Sequence, residues 1–432
     1  MVLALAGISA ALLLAVLYLR PYAVIRIRPL AIPALCILFI AGLLFFSDMA
    51  VDAARNGLKL WAGTVVPALL PFFIAAEIMN STGFTRVFGT LLEPVMRPLF
   101  KVPGSASFAF VMGISSGYPV GAKITSDLRK KGLLTRIEAE RLLSFTNNSG
   151  PLFIIGAVGT GMCGSPETGA FLLACHLTAC ITVGLIYRFY GNREDQSPKK
   201  LRMPGRSKSF RNVLSGLDAA ERQNLGTILG EAVKNSVSVI LTIGGFIVLF
   251  SVIIRILSET GVIRHLAGML SLLFSPLGAD GKTIEGVLSG LLEITTGTRL
   301  VSMADAPPHL KLPALSFIIG WAGLSVHLQV TSIISGTGIR TPPYLLAKFL
   351  QGVISAFYTW AGLKMLHIPV FAGMQAPEGI SAYAGSGWNA AESLKIAGNS
   401  FLIILLIFML LIIITALSRE VKKHGTRKRS PI

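Results

Sequence analysis

Long apolar runs alternate with short polar loops along the whole chain. A helix needs about 20 apolar residues to cross roughly 30 Å of hydrocarbon, and nine runs approach that length. Because unpaired backbone groups are costly in lipid, such runs are expected to be helical. The pattern predicts an all-α polytopic membrane protein with about nine transmembrane helices. The predicted spans are Val2–Leu19, Leu30–Phe46, Trp61–Met79, Leu142–Gly161, Gly169–Tyr187, Val237–Leu257, Leu312–Ile334, Leu345–Leu366 and Phe401–Leu417.

Two further apolar segments are too short to cross a membrane. Phe108–Gly117 and Ile284–Thr296 each have polar chain on both sides. Segments of about 10–14 residues are commonly re-entrant or interfacial. We therefore predict two re-entrant hairpins in addition to the spans.

Similar sequence features recur in the same order in the two halves of the chain. AARNG, which begins at Ala53, is echoed by AVKNS at Ala232, and SSG at Ser115 is echoed by TTG at Thr295. The offset of about 175 residues indicates an internal repeat. We predict an N-terminal two-helix membrane segment at 1–47, a first repeat at 48–190, a basic cytoplasmic linker at 191–227, a second, inverted repeat at 228–366, and an external loop, last helix and basic cytoplasmic tail at 367–432.

Basic residues are concentrated in loops beside the apolar runs. The formal net charge is +18 at pH 7, and basic loops attract anionic lipid, so the bilayer rather than nucleic acid is their expected partner. Cytoplasmic loops are enriched in Lys and Arg. Placing Arg20–Arg28, Arg188–Arg211 and the basic tail in the cytoplasm puts the N-terminus outside and the C-terminus in the cytoplasm. The first hairpin then enters from the cytoplasm and the second from outside, which makes the two halves inverted copies.

Motifs for metal-dependent or nucleotide-dependent chemistry are missing from the sequence. It contains neither HExxH nor a Walker loop, so we expect a protein that is not an enzyme and holds no cofactor and no metal. The four cysteines have no CxxC spacing, which favours neither a disulfide framework nor a zinc site. Two questions are left open: whether H⁺ or Na⁺ acts as a coupling ion, and whether the chain forms a homo-oligomer.

Polar and helix-breaking residues interrupt the hydrophobic pattern at four places. In transporters built from inverted repeats, the substrate lies near the midplane among broken helices whose free ends point at it. Glycine lets the backbone approach a ligand, and proline removes a helix bond. The hairpin breaks are Ser115–Pro119 and Thr295–Gly297, and the breaks within spans are Thr146–Pro151 and Gly320–Gln329.

The candidate substrate-binding residues come from these breaks and from the turn after the first of them. Ser, Thr and Gly also serve close helix packing, whereas two adjacent asparagines in apolar chain must each find partners. Whether His327 binds substrate or only packs is left open. The candidates are Ser115, Ser116, Gly117, Tyr118, Pro119, Lys123, Thr146, Asn147, Asn148, Ser149, Gly150, Thr295, Thr296, Gly297, Ser325, His327 and Gln329.

Three charged residues flank the hairpin breaks. Glu293 precedes TTG within apolar chain, and a carboxylate in a membrane segment is a candidate for proton coupling. Arg299 follows the same break and is a second coupling candidate, although an ion pair between the two that merely fixes the hairpin is the alternative. Lys123 follows the first break and would suit an anionic substrate.

Three segments carry a resemblance to a known family. FVMGISSGYPVGAK, LLSFTNNSGPLFIIGAVGTGM and GLLEITTGTRLVS together resemble the sporulation integral membrane proteins of the YlbJ type. That family has two nucleoside-recognition Gate domains, distantly related to concentrative nucleoside transporters. The resemblance implies two hairpins and two broken helices around one substrate, lined by Ser115–Pro119, Thr295–Gly297, Asn147–Gly150 and Ser325–Gln329. It also implies a location in the mother-cell-derived outer forespore membrane and a role in moving dipicolinic acid.

The first hairpin of this chain differs from that of nucleoside carriers, and the difference affects the choice of substrate. Nucleoside carriers have glutamates and glutamines at the first hairpin, where this chain has hydroxyls and Lys123. We therefore expect a secondary transporter or facilitator of a small anionic metabolite, dipicolinic acid, moved toward the forespore in late sporulation. The alternatives are a nucleoside or nucleobase cation symporter on the same fold, and a non-transporting membrane scaffold or sensor of the spore envelope.

Overall fold

The computed structural model describes residues 21–81, 92, 94–191, 224–274 and 280–366. These residues form helices, turns and loops and contain no strand, which confirms the predicted all-α fold class. The predicted spans Val2–Leu19 and Phe401–Leu417, most of the linker and the C-terminal region lie outside the described residues.

The first half of the described chain begins with a sharp bend and ends with a long helix. Helix α1 bends by 102° into α2, and a π-helical segment, Trp61–Val65, joins α2 to α3. Residues 94–100 are also helical. The labelled helices are α1 Pro21–Phe45, α2 Ser47–Leu60, α3 Val66–Ser81, α4 Ala106–Ser116, α5 Val120–Lys130, α6 Arg136–Thr146, the π-helix α7 Leu152–Met162, and α8 Pro166–Tyr187.

The second half repeats this order of elements. A long helix and a shorter one precede a helical hairpin, which is followed by a broken helix and another long helix. The helices are α9 Leu225–Glu259, α10 Val262–Phe274, α11 Gly281–Leu292, α12 Ile294–Met303, α13 Pro308–Trp321, α14 Leu324–Ile334 and α15 Thr341–Leu366. The order agrees with the internal repeat, and the inverted relation of the two copies stays a prediction.

Several helices are long and apolar enough to cross a membrane. By length and composition these are α8, α9 and the broken helix Pro308–Ile334, and a fourth is gained if the bent pair Ile32–Phe45 and Ser47–Gly63 is one span. The predicted span Leu142–Gly161 is divided between α6 and α7 at the expected break. The total of nine transmembrane helices stays a prediction.

Both short apolar segments form helical hairpins. Helices α4 and α5 pack together in the first hairpin, and α11 and α12 pack together in the second. Small residues allow the close approach: Gly297 of α12 faces Gly290 of α11, and Gly113 and Gly121 lie against the carbonyl of Thr146. A side chain at Gly113, Gly121 or Gly297 would collide with a backbone, and one at Gly290 would collide with the side chain of Ile318.

Two hydrophobic clusters surround the breaks in the helices. In the first, Phe145 stacks on Phe100 with ring centroids 4.6 Å apart and meets the edge of Phe110 at 5.4 Å. The second packs α7 and α8 against α12 and α13. Tyr118, at the tip of the first hairpin, packs against both clusters. The hairpin tip therefore lies where the two clusters meet.

Candidate substrate site

The tip of the first hairpin lies against the break between α6 and α7. Residues 147–150 leave the helical path between the two helices, as predicted. Gly117 has φ of 90°, and a Cβ there would lie 2.7 Å from the backbone nitrogen of Gly150. A Cβ on Gly150 would lie 2.8 Å from the carbonyl oxygen of Ser116. Since only glycine avoids these contacts, the two breaks meet backbone to backbone.

The second half has the same arrangement of hairpin and broken helix. Helices α13 and α14 are separated at Ala322 and Gly323, with φ of 77° and 85°. A Cβ on Gly323 would lie 3.1 Å from the backbone nitrogen of Ile294 and 3.2 Å from Cα of Glu293. In both halves, a hairpin break therefore touches the break of a longer helix.

The break of the second hairpin lies at Glu293 rather than at the predicted Thr295–Gly297. The Glu293 carboxylate accepts hydrogen bonds from the backbone N–H of Thr295 at 2.9 Å and of Thr296 at 2.7 Å. This capping fixes the start of α12, so both threonines belong to its first turn. Gly297 lies within α12 and serves packing against α11.

Arg299 is not the partner of Glu293. Its side chain is exposed on α12, and among the ion pairs of the described chain none joins the two residues. The suggested ion pair is therefore wrong, because the carboxylate is occupied by the helix start. A coupling role for either residue stays a prediction.

A buried lysine that the sequence analysis did not select lies at the centre of the site. Lys348 of α15 is fully buried. Its Nζ donates to the carbonyl oxygen of Asn147 at 2.8 Å and to Oε1 of Gln351 at 2.7 Å. No carboxylate lies within 4.0 Å of Nζ among the residues that the structure describes. The lysine therefore holds the first-half break through neutral oxygens alone.

Hydrogen bonds extend from this lysine to both predicted asparagines. Nε2 of Gln351 donates to Oδ1 of Asn148 at 2.9 Å and lies 3.4 Å from Nε2 of His176 on α8. Nδ2 of Asn148 in turn donates to the carbonyl of Phe145 at 2.7 Å. Side chains from the break after α6, from α8 and from α15 thus form one buried polar group.

A tyrosine on α15 connects the other asparagine to the predicted histidine. Nδ2 of Asn147 donates to the hydroxyl of Tyr344 at 2.8 Å, and Nδ1 of His327 lies 3.2 Å from the same hydroxyl. Tyr344, Lys348 and Gln351 share one face of α15, since they are four and three positions apart. This face gathers Asn147, Asn148 and His327, and we call the six residues the Lys348 centre.

Several buried polar atoms around the centre lack a protein partner in the described part of the chain. They are Oδ1 of Asn147, Nε2 of His327, Nδ1 of His176 and Oγ of Ser116. Buried polar groups are almost always hydrogen-bonded, because leaving one unsatisfied costs about 1–3 kcal/mol. These four atoms are therefore suited to bind water or a polar solute.

Other predicted residues have structural roles or lie at the edge of the centre. The hydroxyls of Ser115 and Thr146 donate within their own helices, to the carbonyls of Val111 and Leu142. Ser149 donates to the carbonyl of Ile319 at 3.2 Å, which ties the first break to α13. Tyr118 lies beside Ser149 and near the Glu293 carboxylate, and so connects the two hairpin tips.

Lys123 and Gln329 lie together at a separate cavity. The cavity has a volume of about 210 Å³ and is lined by residues of α5, α9 and α14. Lys123 forms an ion pair with Asp127 of its own helix, with Nζ and Oδ2 2.8 Å apart. Its charge is therefore balanced, and it does not belong to the Lys348 centre.

The sequence did contain signals for the residues that were missed. Lys348 lies within the predicted span Leu345–Leu366, and an ionisable residue inside a span marks a functional site by default. Gln351 shares its helix face, three positions later. The contact with His176 joins residues 175 positions apart, and no local pattern indicates it.

The fold and site define a class: an integral membrane protein in which paired helix breaks surround a buried polar centre. The sequence profile of the Gate family, described as nucleoside recognition, matches residues 62–166 and 240–373. The chain is 40% identical over 377 residues to the sporulation integral membrane protein YlbJ of Bacillus subtilis (strain 168), covering 84% of this chain and 91% of that protein. The chain belongs to the family of YlbJ-type membrane proteins with Gate domains.

Two weaker similarities cover part of the chain or its general shape. An uncharacterized protein of Alkalihalophilus pseudofirmus is 34% identical over 92 residues, which is 20% of this chain and 19% of that one. The structure of CNTnw in an inward-facing substrate-bound state aligns with a TM-score of 0.39 at 10% identity, covering 78% of this chain and 87% of that chain.

Proposed function

We propose that this protein is a secondary transporter or facilitator of a small organic anion, and not an enzyme. The observation that carries the proposal is the buried amino group of Lys348, which has two neutral oxygen partners and no carboxylate partner among the described residues. A buried charge is costly unless it is paired and hydrogen-bonded. A substrate carboxylate at Nζ would supply the pairing that the protein's neutral oxygens do not.

The donors around Lys348 suit a carboxylate. An ammonium group has three N–H donors, and two of those of Lys348 are directed at Asn147 and Gln351. The third is free to bind an anion. Within the same group, unpaired atoms of His327 and Asn147 can hold the polar edge of a ring.

We propose dipicolinic acid as the substrate. It is a pyridine dicarboxylate, so it offers one carboxylate to Lys348 and further acceptors to the donors around it. The relative in Bacillus subtilis is named as a sporulation protein, which supports transport toward the forespore in late sporulation. The proposed location is the mother-cell-derived outer forespore membrane, with the N-terminus outside and the C-terminus in the cytoplasm.

The repeated order of elements supports a transport mechanism with two inverted halves. Secondary transporters of this plan hold the substrate between the halves and open it alternately to each side. Lys348 belongs to the second half and Asn147 to the first, so a substrate at Nζ would compete with a bond between the halves. Binding would then be coupled to their relative movement.

A nucleoside or nucleobase symporter is the second candidate. Its support is the description of the matching Gate profile as nucleoside recognition, together with the amide groups of Asn147, Asn148 and Gln351, which could bind base edges. A neutral nucleoside would leave Lys348 unbalanced, which favours the anion. A non-transporting scaffold or sensor remains the third reading.

Uptake by vesicles containing the purified full chain tests these readings. We expect labelled dipicolinate to enter, and pyridine-2,6-dicarboxamide, which is neutral and similar in shape, to be excluded together with uridine. Uridine uptake without dipicolinate uptake would support the symporter. Failure of all three solutes to enter, with the protein folded, would support the scaffold.

Substitution of the central lysine tests the observation itself. Lys348→Met should lower dipicolinate uptake by about 30-fold or more, because the loss of one partner of a buried charge pair costs several kcal/mol. Lys364→Gln is the matched control, since Lys364 lies on the same helix with its Nζ over the Trp360 ring. Equal loss in both variants, or none in Lys348→Met, would contradict the proposal. Size-exclusion profiles establish that each variant is folded.

A further inference from the structure

Polar residues form a stripe along α14 on the side of the separate cavity. Ser325, Gln329 and Ser332 are four and three positions apart and so share one face of the helix. Leu324 and Leu328 are exposed on an adjacent face. The stripe runs from the break at Gly323 to the cavity wall, which both Gln329 and Ser332 line.

A second polar stripe faces it from the first hairpin. Lys123, Ser126 and Lys130 are three and four positions apart on α5, and all three line the cavity. The hydroxyl of Ser126 donates to the carbonyl of Ile333 at 3.0 Å, which fixes α5 against α14. Ser238 and Thr242 of α9 complete the wall.

Two of the lining side chains have unused binding capacity. Gln329 is 4% exposed, and within the described chain no hydrogen bond involves its amide. Lys130 is exposed at the wall, and no carboxylate lies within 4.0 Å of it among the described residues. Because Asp127 balances Lys123, the cavity has one unbalanced cation and one free amide.

The size of the cavity fits a small organic solute. Its volume of about 210 Å³ is more than ten times the roughly 10–15 Å³ that a single water molecule requires. Polar groups occupy part of the wall, and Val239, Ile243 and Ile333 supply apolar surface. A carboxylate on a single apolar ring matches this combination.

We propose that the space between α5, α9 and α14 is a second anion site, formed by Gln329 and Lys130 and separate from the Lys348 centre. The inference rests on the proposed transport of an organic anion. His327 belongs to the Lys348 centre and Gln329 to the cavity. The two residues are two positions, and so about 200°, apart on α14, which places the two sites on opposite sides of this helix.

Cysteine labelling in vesicles tests the second anion site. Gln329→Cys and the matched control Leu328→Cys are each made in a Cys36→Ser background, since Cys36 is exposed, and the labelling of that background through the buried Cys163, Cys175 and Cys180 is measured as the blank. The probe is a membrane-impermeant, negatively charged methanethiosulfonate. Leu328 is next in sequence and about 100° around the helix, on the exposed apolar face.

The second anion site predicts fast labelling of Gln329→Cys and slow labelling of Leu328→Cys. Dipicolinate at ten times its dissociation constant should slow the reaction at position 329 about tenfold, because about nine tenths of the sites are then filled. Equal labelling of both variants, or no protection by dipicolinate, overturns the site. Protection by phosphatidylglycerol instead of dipicolinate would assign the cavity to a lipid phosphate and also overturn it.

The same vesicles separate this inference from the proposed function. Dipicolinate uptake by the wild-type chain without labelling at position 329 would overturn the second anion site alone. Protected labelling without any uptake would contradict transport, while the second anion site would stand. Lys130→Gln adds a readout in the same uptake assay. The variant should raise KM about threefold to tenfold with kcat unchanged, because about 1 kcal/mol of binding free energy is lost. The control variant Lys131→Gln should leave KM unchanged.

Discussion

Lys348 donates a hydrogen bond of 2.8 Å to the carbonyl oxygen of Asn147, although 201 positions separate the two residues. The carbonyl is available because α6 ends at Thr146, so the helix break itself creates the acceptor. Lys348, which belongs to the second half, is therefore hydrogen-bonded directly to the helix break in the first half. Two further hydrogen bonds strengthen this connection: Asn147 donates to the hydroxyl of Tyr344, and Gln351 donates to Asn148.

Tyr344→Phe should destabilise the protein by about 1–3 kcal/mol, because it leaves the buried amide of Asn147 without its partner. The hydroxyl also lies 3.2 Å from His327. Thermal unfolding in detergent measures the change. Tyr358→Phe is the control on the same helix, since its hydroxyl meets Thr182, which has a second bond to the carbonyl of Thr178. A loss in Tyr358→Phe as large as in Tyr344→Phe would contradict a special role for Tyr344.

Gly117→Ala should be strongly destabilising, by more than about 2 kcal/mol, because the added Cβ meets backbone atoms that cannot move cheaply. Gly132→Ala is a matched control: Gly132 also has positive φ, at 68°, but a Cβ there has no neighbour within 4 Å. It should cost only about 1 kcal/mol of backbone strain. Similar unfolding temperatures for the two variants would show that the contact between the breaks is loose.

The locations of the breaks could be predicted from sequence because they are local. Glycine, proline and adjacent asparagines in apolar chain mark where a helix stops, and the structure has breaks at Gly117 and at 147–150. The predicted position of the break is wrong in the second hairpin, where a side chain determines which residue begins the helix. Thr295–Gly297 has the composition of a break, but the Glu293 carboxylate starts the helix before it.

The residues that complete the site have a more ambiguous signal. An ionisable residue inside a span marks a functional site, but a lysine three positions after the start of the predicted span Leu345–Leu366 would ordinarily extend to the membrane surface. Lys348 is instead buried, and one of its two acceptors, the carbonyl of Asn147, comes from a chain segment about 200 positions away. The ion pair of Lys123 with Asp127 is local, four positions along α5, and the sequence alone would have allowed that prediction.

Glu293→Ala should loosen the second hairpin by about 1–2 kcal/mol, through loss of two hydrogen bonds to the start of α12. The rate of hydrogen exchange at the backbone amides of Thr295 and Thr296 should rise in the same variant. Asp280→Ala is the control, since Asp280 caps α11 of the same hairpin through the backbone N–H of Thr283. In Asp280→Ala we expect faster hydrogen exchange at Thr283 and no loss of protection in α12. Unchanged protection at Thr295 in Glu293→Ala would contradict the capping role.

Glu140→Gln should destabilise the junction between α6 and the segment before α15 by about 2 kcal/mol, because it removes a charge that buried hydrogen bonds depend on. The carboxylate, 1% exposed, accepts from the backbone N–H of Arg340 at 3.0 Å and from the hydroxyl of Tyr190 at 2.8 Å.

The exposed pair of Arg255 and Glu259, 3.0 Å apart, provides the control for that substitution. Glu259→Gln should cost less than about 0.5 kcal/mol, since exposed pairs are screened by water. A double-mutant cycle with Arg340→Met separates the ion pair from the other bonds of Glu140, and denaturant unfolding in detergent measures each variant. The cycle gives the coupling free energy between Glu140 and Arg340. If it is no larger than the coupling free energy between Arg255 and Glu259, the Glu140–Arg340 ion pair does not hold the two halves together.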